Sequence, residues 1–92
     1  MIQSFKDAAT HDLFVERRQR KFANIASVAL RKLDQMEAAT QLSDLKEPPG
    51  NRLEALKGSR SGQYSIRVND QFRICFRWEK DNAYEVEIVD YH

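Results

Sequence analysis

Apolar and polar positions alternate with period two three times in the last third of the chain. Tyr64, Ile66 and Val68 alternate with Ser65, Arg67 and Asn69. Phe72, Ile74, Phe76 and Trp78 alternate with Arg73, Cys75, Arg77 and Glu79, and Tyr84, Val86 and Ile88 with Glu85 and Glu87. This rhythm predicts strands with one buried face and one wet face. Asn69-Asp70-Gln71 and Lys80-Asp81-Asn82 are turn-forming, so the three strands read as an antiparallel meander. The first half has a different rhythm. Phe22, Ala26, Ala29, Leu33 and Met36 step by 4, 3, 4 and 3, and Ile25 and Leu30 widen the stripe. That spacing predicts a helix of about four turns. Leu13, Phe14 and the stem of Arg17 mark a shorter helix that Thr10 would cap, with His11 as its first residue. Two helices this close in sequence suggest an antiparallel pair. Residues 1–5 alternate loosely and read as a short strand. Pro48-Pro49-Gly50-Asn51 can neither continue a helix nor enter a central strand, which makes 42–52 the loop from helices to sheet. The order predicts an α+β domain with its helices on one face of the sheet.

Placing all three apolar strand faces in one core fixes the register. A loop at 69–71 sets Val68 opposite Phe72, Ile66 opposite Ile74, and Arg67 opposite Arg73. A loop at 79–83 sets Trp78 opposite Tyr84, Arg77 opposite Glu85, and Cys75 opposite Glu87. Arg77 with Glu85 is a surface ion pair. Arg67 beside Arg73 is unfavourable, because like charges directly opposed repel. Two remedies are open: Glu87, diagonal to Arg73, neutralises the pair, or the pair awaits an anion such as a phosphate or a partner's carboxylate.

Composition narrows the classes. The chain has 92 residues, so a single domain over 1–92 with a small core is expected. No stretch approaches the run of about 20 apolar residues that a membrane span needs. The N-terminus carries no secretory core, and the expected compartment is the cytoplasm. Cys75 stands alone, which excludes an intrachain disulfide. His11 and His92 belong to no metal-ligand spacing, so neither a metal nor a cofactor is expected. Net charge is only +1, yet the charges are segregated. Residues 16–32 hold six basic side chains and one acidic, and 57–80 hold six and two; 33–56 hold two and five, and 81–92 none and four. Blocks of this kind make either one basic surface, which attracts phosphate backbones or acidic partners, or a set of solvated faces.

The candidate chemistry sits at the end of the chain and on the basic strands. Asp90, Tyr91 and His92 are three reactive side chains on the last three positions. Imidazole suits proton transfer near neutral pH. Asp90, two residues away, would favour its protonated form. The alternative is a frayed, solvated terminus. Lys57 and Arg73 are cations able to hold a phosphate, Arg the better because its planar fork spans two oxygens. Tyr91 could stack on a base. Cys75 lies mid-strand with no His in sequence reach and makes a poor nucleophile. Strand parity puts Asp90 and His92 on the core-facing side and Arg73 and Tyr91 on the other, so they converge only if the strand end twists or leaves the ladder.

Pro48-Pro49-Gly50-Asn51-Arg52-Leu53-Glu54, Leu56-Lys57-Gly58, Arg73-Ile74-Cys75-Phe76 and the final Asp90-Tyr91-His92 together resemble the HigB toxins. These are the plasmid-maintenance killer branch of the RelE/ParE superfamily. The resemblance runs from the N-terminal strand to the last residue. It implies a RelE-like, microbial-ribonuclease-type α+β fold and the toxin half of a type II toxin–antitoxin pair. It implies an endoribonuclease that enters the ribosomal A site and cuts messenger without a metal, by attack of a 2′-hydroxyl on the adjacent phosphate. The implied partners are a HigA-type helix-turn-helix antitoxin, the ribosome carrying messenger, and operator DNA reached only through the antitoxin. The implied catalytic group is Lys57, Arg73, Asp90 and His92, with Tyr91, Arg67 and Lys57 on the RNA. Glu54 stands where some relatives carry His; it would serve as base or only pair with Arg52, and Asp90 is the other candidate base. The same superfamily includes toxins that poison DNA gyrase, the alternative activity.

Overall fold

Ile66, Ile74, Phe76, Val86 and Ile88 lie on one side of a sheet, and Leu13, Ala29, Leu33 and Met36 close over them in a single buried cluster. The period-two and helical stripes of the sequence therefore meet in one core. The computed structural model describes residues 1–91. Helices α1 (Ala8–Glu16) and α2 (Ala26–Ala38) precede strands β1 (Glu54–Ala55), β2 (Gln63–Arg67), β3 (Phe72–Glu79) and β4 (Asn82–Asp90). The strands form an antiparallel sheet in the order β1-β2-β3-β4. The N-terminal segment runs parallel to β4 through bridges at Ile2–Ala83 and Phe5–Val86. Among the described residues no helix is long and apolar enough to cross a membrane.

The α+β order matches expectation, and the differences lie at element ends. Helix α1 begins at Ala8, capped by Asp7, whose carboxylate accepts the Thr10 amide at 3.2 Å. Thr10 is instead fully buried, and its hydroxyl oxygen accepts the Ile88 amide at 3.1 Å. That bond satisfies a β4 donor beyond the Phe5–Val86 bridge and pins the helix to the sheet. Thr10→Val should therefore destabilise the fold by about 1–3 kcal/mol, as a buried amide loses its acceptor. Urea denaturation checks this, with Thr10→Ser losing less. Helix α2 begins at Ala26; Phe22 keeps its place in the core from a separate short turn, Arg20–Phe22.

The β3–β4 register is the main correction. Lys80 and Asp81, both at positive φ (51° and 62°), form a two-residue turn, so Glu79 pairs with Asn82, Trp78 with Ala83 and Arg77 with Tyr84. The tight turn wins over the longer loop because its twist matches that of the strands. A bulge at Glu85 (φ 52°) then restores Cys75 opposite Glu87 and Ile74 opposite Ile88, as expected. Ala83, not Tyr84, faces the core. The Arg77–Glu85 ion pair survives at 2.6 Å. On β2 and β3 the expected Arg67–Arg73 and Ile66–Ile74 pairs are present.

The Pro-Pro-Gly-Asn loop is anchored from within. Asn51 is fully buried. Its Oδ1 accepts the Lys32 ammonium, and its Nδ2 donates to Gln35 Oε1, the Leu45 carbonyl and the Glu47 carbonyl at 3.0, 3.2 and 3.1 Å. Burial pushes the Lys32 ammonium below its ordinary pKa. Just before the loop, the backbone amides of Thr40 and Gln41 hold Asp44 below the usual carboxylate range. A depressed carboxylate contributes stability above its unfolded pKa, roughly 3.9, and loses it as pH falls through the lower folded value. Asp44→Asn is expected to flatten the acid limb of the stability curve below about pH 4. Thermal melts across that range give the test; an unchanged slope counts against the Thr40 and Gln41 amides as the source of the effect.

Candidate active site

Register builds the site on the sheet face away from the helices. Glu54 pairs with Ser65, Ser65 with Cys75, and Cys75 with Glu87, so one row crosses all four strands. The next row holds Arg67, Arg73 and Val89. Ser65 and Cys75 are fully buried although they lie on the non-core face. Two arginines account for much of the structure around them.

Arg73 projects from β3 with its side chain only 13% exposed. Its Nε donates to Ser65 Oγ at 2.8 Å, and its Nη2 donates to the Arg52 carbonyl at 2.8 Å. Glu54 Oε1 lies 3.4 Å from the same Nη2. The Tyr91 ring centre is 5.9 Å from the guanidinium carbon. Arg60, on the short turn Gly58–Arg60, donates to Glu87 Oε1 at 2.8 Å and to Gln63 Oε1 at 3.1 Å. Arg67 is paired with Asp70. The repulsion between Arg67 and Arg73 is thus relieved by Asp70 and Glu54, not by Glu87, which is committed to Arg60. Burial pushes the Cys75 thiol up, with Arg60 and Arg73 pulling the other way, which keeps it a protonated thiol.

The structure brings together Arg73, Glu54 and Tyr91, with Arg67 directly across from Arg73. Lys57 is exposed where the chain leaves β1, and its carbonyl accepts the Arg60 amide at 3.3 Å. Asp90 does not join Arg73. It pairs with Phe72, on the opposite parity, and its carboxylate accepts Gln71 Nε2 at 3.1 Å. The strand ends there, and Tyr91 returns to the Arg73 face by ordinary alternation while its amide donates to the Gln71 carbonyl at 2.6 Å. His92 lies outside the described residues. Sequence reasoning missed Ser65, Arg60 and the Arg52 carbonyl. Alternation already put Ser65 diagonal to Arg73, and a small hydroxyl beside an arginine was the available signal. Arg60 gave none, because it rides on an irregular turn.

Chemically the face offers a fixed cation for phosphate oxygens, a carboxylate able to take a proton, and an aromatic ring able to stack. Among the described residues no three His, Cys, Asp or Glu side chains gather to hold a metal ion.

Residues 3–92 match a family described as RelE-like toxin of type II toxin–antitoxin system HigB. A Vibrio cholerae protein named Toxin HigB-1 is 39% identical over 80 residues, covering 85% of this chain and 84% of its own. A Proteus vulgaris protein named Endoribonuclease HigB is 34% identical over 61 residues, covering 66% of this chain and 65% of its own. A YoeB–YefM complex from Staphylococcus aureus superposes with a TM-score of 0.63 at 15% identity, over 100% of this chain and 98% of that one, a likeness of fold alone.

Proposed function

Because the chain belongs to the HigB family of RelE-like toxins from type II toxin–antitoxin systems, we propose that it is an endoribonuclease that cuts messenger RNA in the ribosomal A site. The observation that carries the proposal is the Arg73 guanidinium held on an open sheet face, with Glu54 at 3.4 Å and the Tyr91 ring at 5.9 Å. The relative named Endoribonuclease HigB supports the same reading.

In the proposed reaction the ribose 2′ oxygen attacks the adjacent phosphorus as its proton passes to a carboxylate. Glu54 is the better base, since it touches the phosphate-holding arginine whereas Asp90 lies across the sheet. Arg73 and Lys57 stabilise the charge that grows on the phosphoryl oxygens. The bond from phosphorus to the 5′ oxygen breaks, and His92 gives that oxygen its proton, leaving a 2′,3′-cyclic phosphate and a 5′-hydroxyl. Tyr91 stacks on a base and Arg67 meets the neighbouring phosphate. Loss of one acid or base should slow such a reaction about 10²- to 10⁴-fold.

The partner is an antitoxin. The proposal extends this to a HigA-type protein with a helix-turn-helix domain, through which the complex reaches operator DNA. Mapping RNA 5′ ends after adding purified protein to a translating extract tests the function. Cuts inside messenger that appear only with ribosomes are expected. Intact messenger together with stalled gyrase–DNA complexes would replace this reading with the gyrase one.

A further inference from the structure

Arg73 is held by contacts that no motif announces. Its Nε donates to Ser65 Oγ and its Nη2 to the Arg52 carbonyl, each at 2.8 Å. Acceptors on two of its three nitrogens restrain both its position and its tilt. Neither acceptor is incidental. Ser65 sits in β2 with no solvent exposure, so its hydroxyl has no water to fall back on. Arg52 stands in the left-handed region at φ 47°, directly after the buried Asn51, and its amide donates to the Pro49 carbonyl at 3.1 Å. The carbonyl it offers to Arg73 is therefore set by the loop and not by a regular strand. These contacts hold the Nε edge and one Nη of Arg73, and lie apart from the remaining amino group.

We propose that Ser65 and the Arg52 carbonyl form a bracket that sets the plane of the Arg73 guanidinium for the phosphate, with Ser65 a positioning residue for cleavage. The inference rests on the proposed ribonuclease reading. Ser65 itself touches no RNA; it acts through Arg73. Transition-state stabilisation by a cation depends on its donors pointing where charge develops, so a guanidinium free to tilt loses rate more than binding.

The test compares Ser65→Ala, Ser65→Thr, Arg73→Lys and the double variant Ser65→Ala/Arg73→Lys in the full chain. Ser65→Ala is expected to lower the single-turnover cutting rate roughly 10- to 100-fold, the worth of one hydrogen bond to a charged group, with ribosome affinity unchanged. Ser65→Thr keeps the hydroxyl and should recover most of the rate. In the Arg73→Lys background, which has no Nε for Ser65 to hold, Ser65→Ala should add no further loss. The Arg73 Nε–H resonance should be sharp and slow to exchange in the parent and lose both features in Ser65→Ala. Equal losses in both backgrounds would mean a general packing role and overturn the proposal, as would an unaltered Nε–H signal. If the parent cuts no RNA at all, the ribonuclease reading fails while the Nε–H arm still decides whether the bracket exists.

Discussion

Arg73→Lys is expected to slow messenger cutting about 10²- to 10³-fold while ribosome binding changes little, as when one preorganised donor to a developing oxyanion is removed. The charge survives this change; the fork does not. A lysine ammonium carries all its donors on one atom and has no plane for Ser65 Oγ and the Arg52 carbonyl to set, so it becomes a movable point charge. Ser65 Oγ is also left without its buried donor. Rate and affinity measured on the same ribosomes separate a lost transition-state contact from lost binding. Cutting within a few-fold of the parent would remove the guanidinium from the chemistry and leave Glu54 and Tyr91 without their organising cation.

Asn51→Ala is expected to cost the fold about 3–5 kcal/mol, because it leaves a buried ammonium and several buried polar groups unpaired together. Asn51 joins Lys32 and Gln35 of α2 to the carbonyls of Leu45 and Glu47, and nothing else in the loop can replace its amide. For a domain whose total stability is of order 5–15 kcal/mol, that is a large share. At roughly 4–8 °C per kcal/mol for a domain of this size, the melting temperature should fall by more than 10 °C. The loss also has a pH signature. Lys32 in the fold has a lowered pKa, so between that value and the ordinary lysine value the unfolded chain binds more protons. Stability therefore rises with pH across this alkaline window, and the deficit of the variant should shrink there. Pairing Asn51→Leu with Lys32→Met should recover only the part of the loss that comes from the ammonium, since Gln35 Oε1 and the Leu45 carbonyl still lack the Asn51 donor. A fall below about 1 kcal/mol in Asn51→Ala, the worth of a single ordinary hydrogen bond, would show that the loop is held elsewhere.

The two predictions mark the reach of the sequence. Alternation in 63–88 gave the strands, the buried faces of β2 and β3, and the Arg67–Arg73 and Cys75–Glu87 pairs, because side-chain parity is a local property of an extended chain; on β4 it misassigned Tyr84, where Ala83 turns inward. The helical stripe gave α2 but misplaced its start, since Phe22 fills the core equally well from a short turn. The two-residue length of the turn at Lys80–Asp81 escaped because no glycine advertised its positive φ angles, and the bulge at Glu85 absorbed the resulting slip without a sequence mark. The loop at 48–52 was legible as a break; the burial of Asn51 within it was not.

The candidate site divides in the same way. Glu54, Arg73 and Tyr91 could be named from the chain, all three by motif resemblance and Arg73 and Tyr91 also by their own chemistry. Their meeting could not, because Glu54 reaches Arg73 only when a two-residue strand pairs at the sheet edge. What the sequence alone determined is which side chains share a strand face, for that follows from two-residue periodicity and needs no knowledge of distant segments. The tertiary structure alone decided that Arg73 is held by Ser65 and Arg52 and that Glu54 meets it from the sheet edge. Those outcomes depend on turn length, bulges and loop burial, where contacts between residues far apart in the chain outweigh local preference.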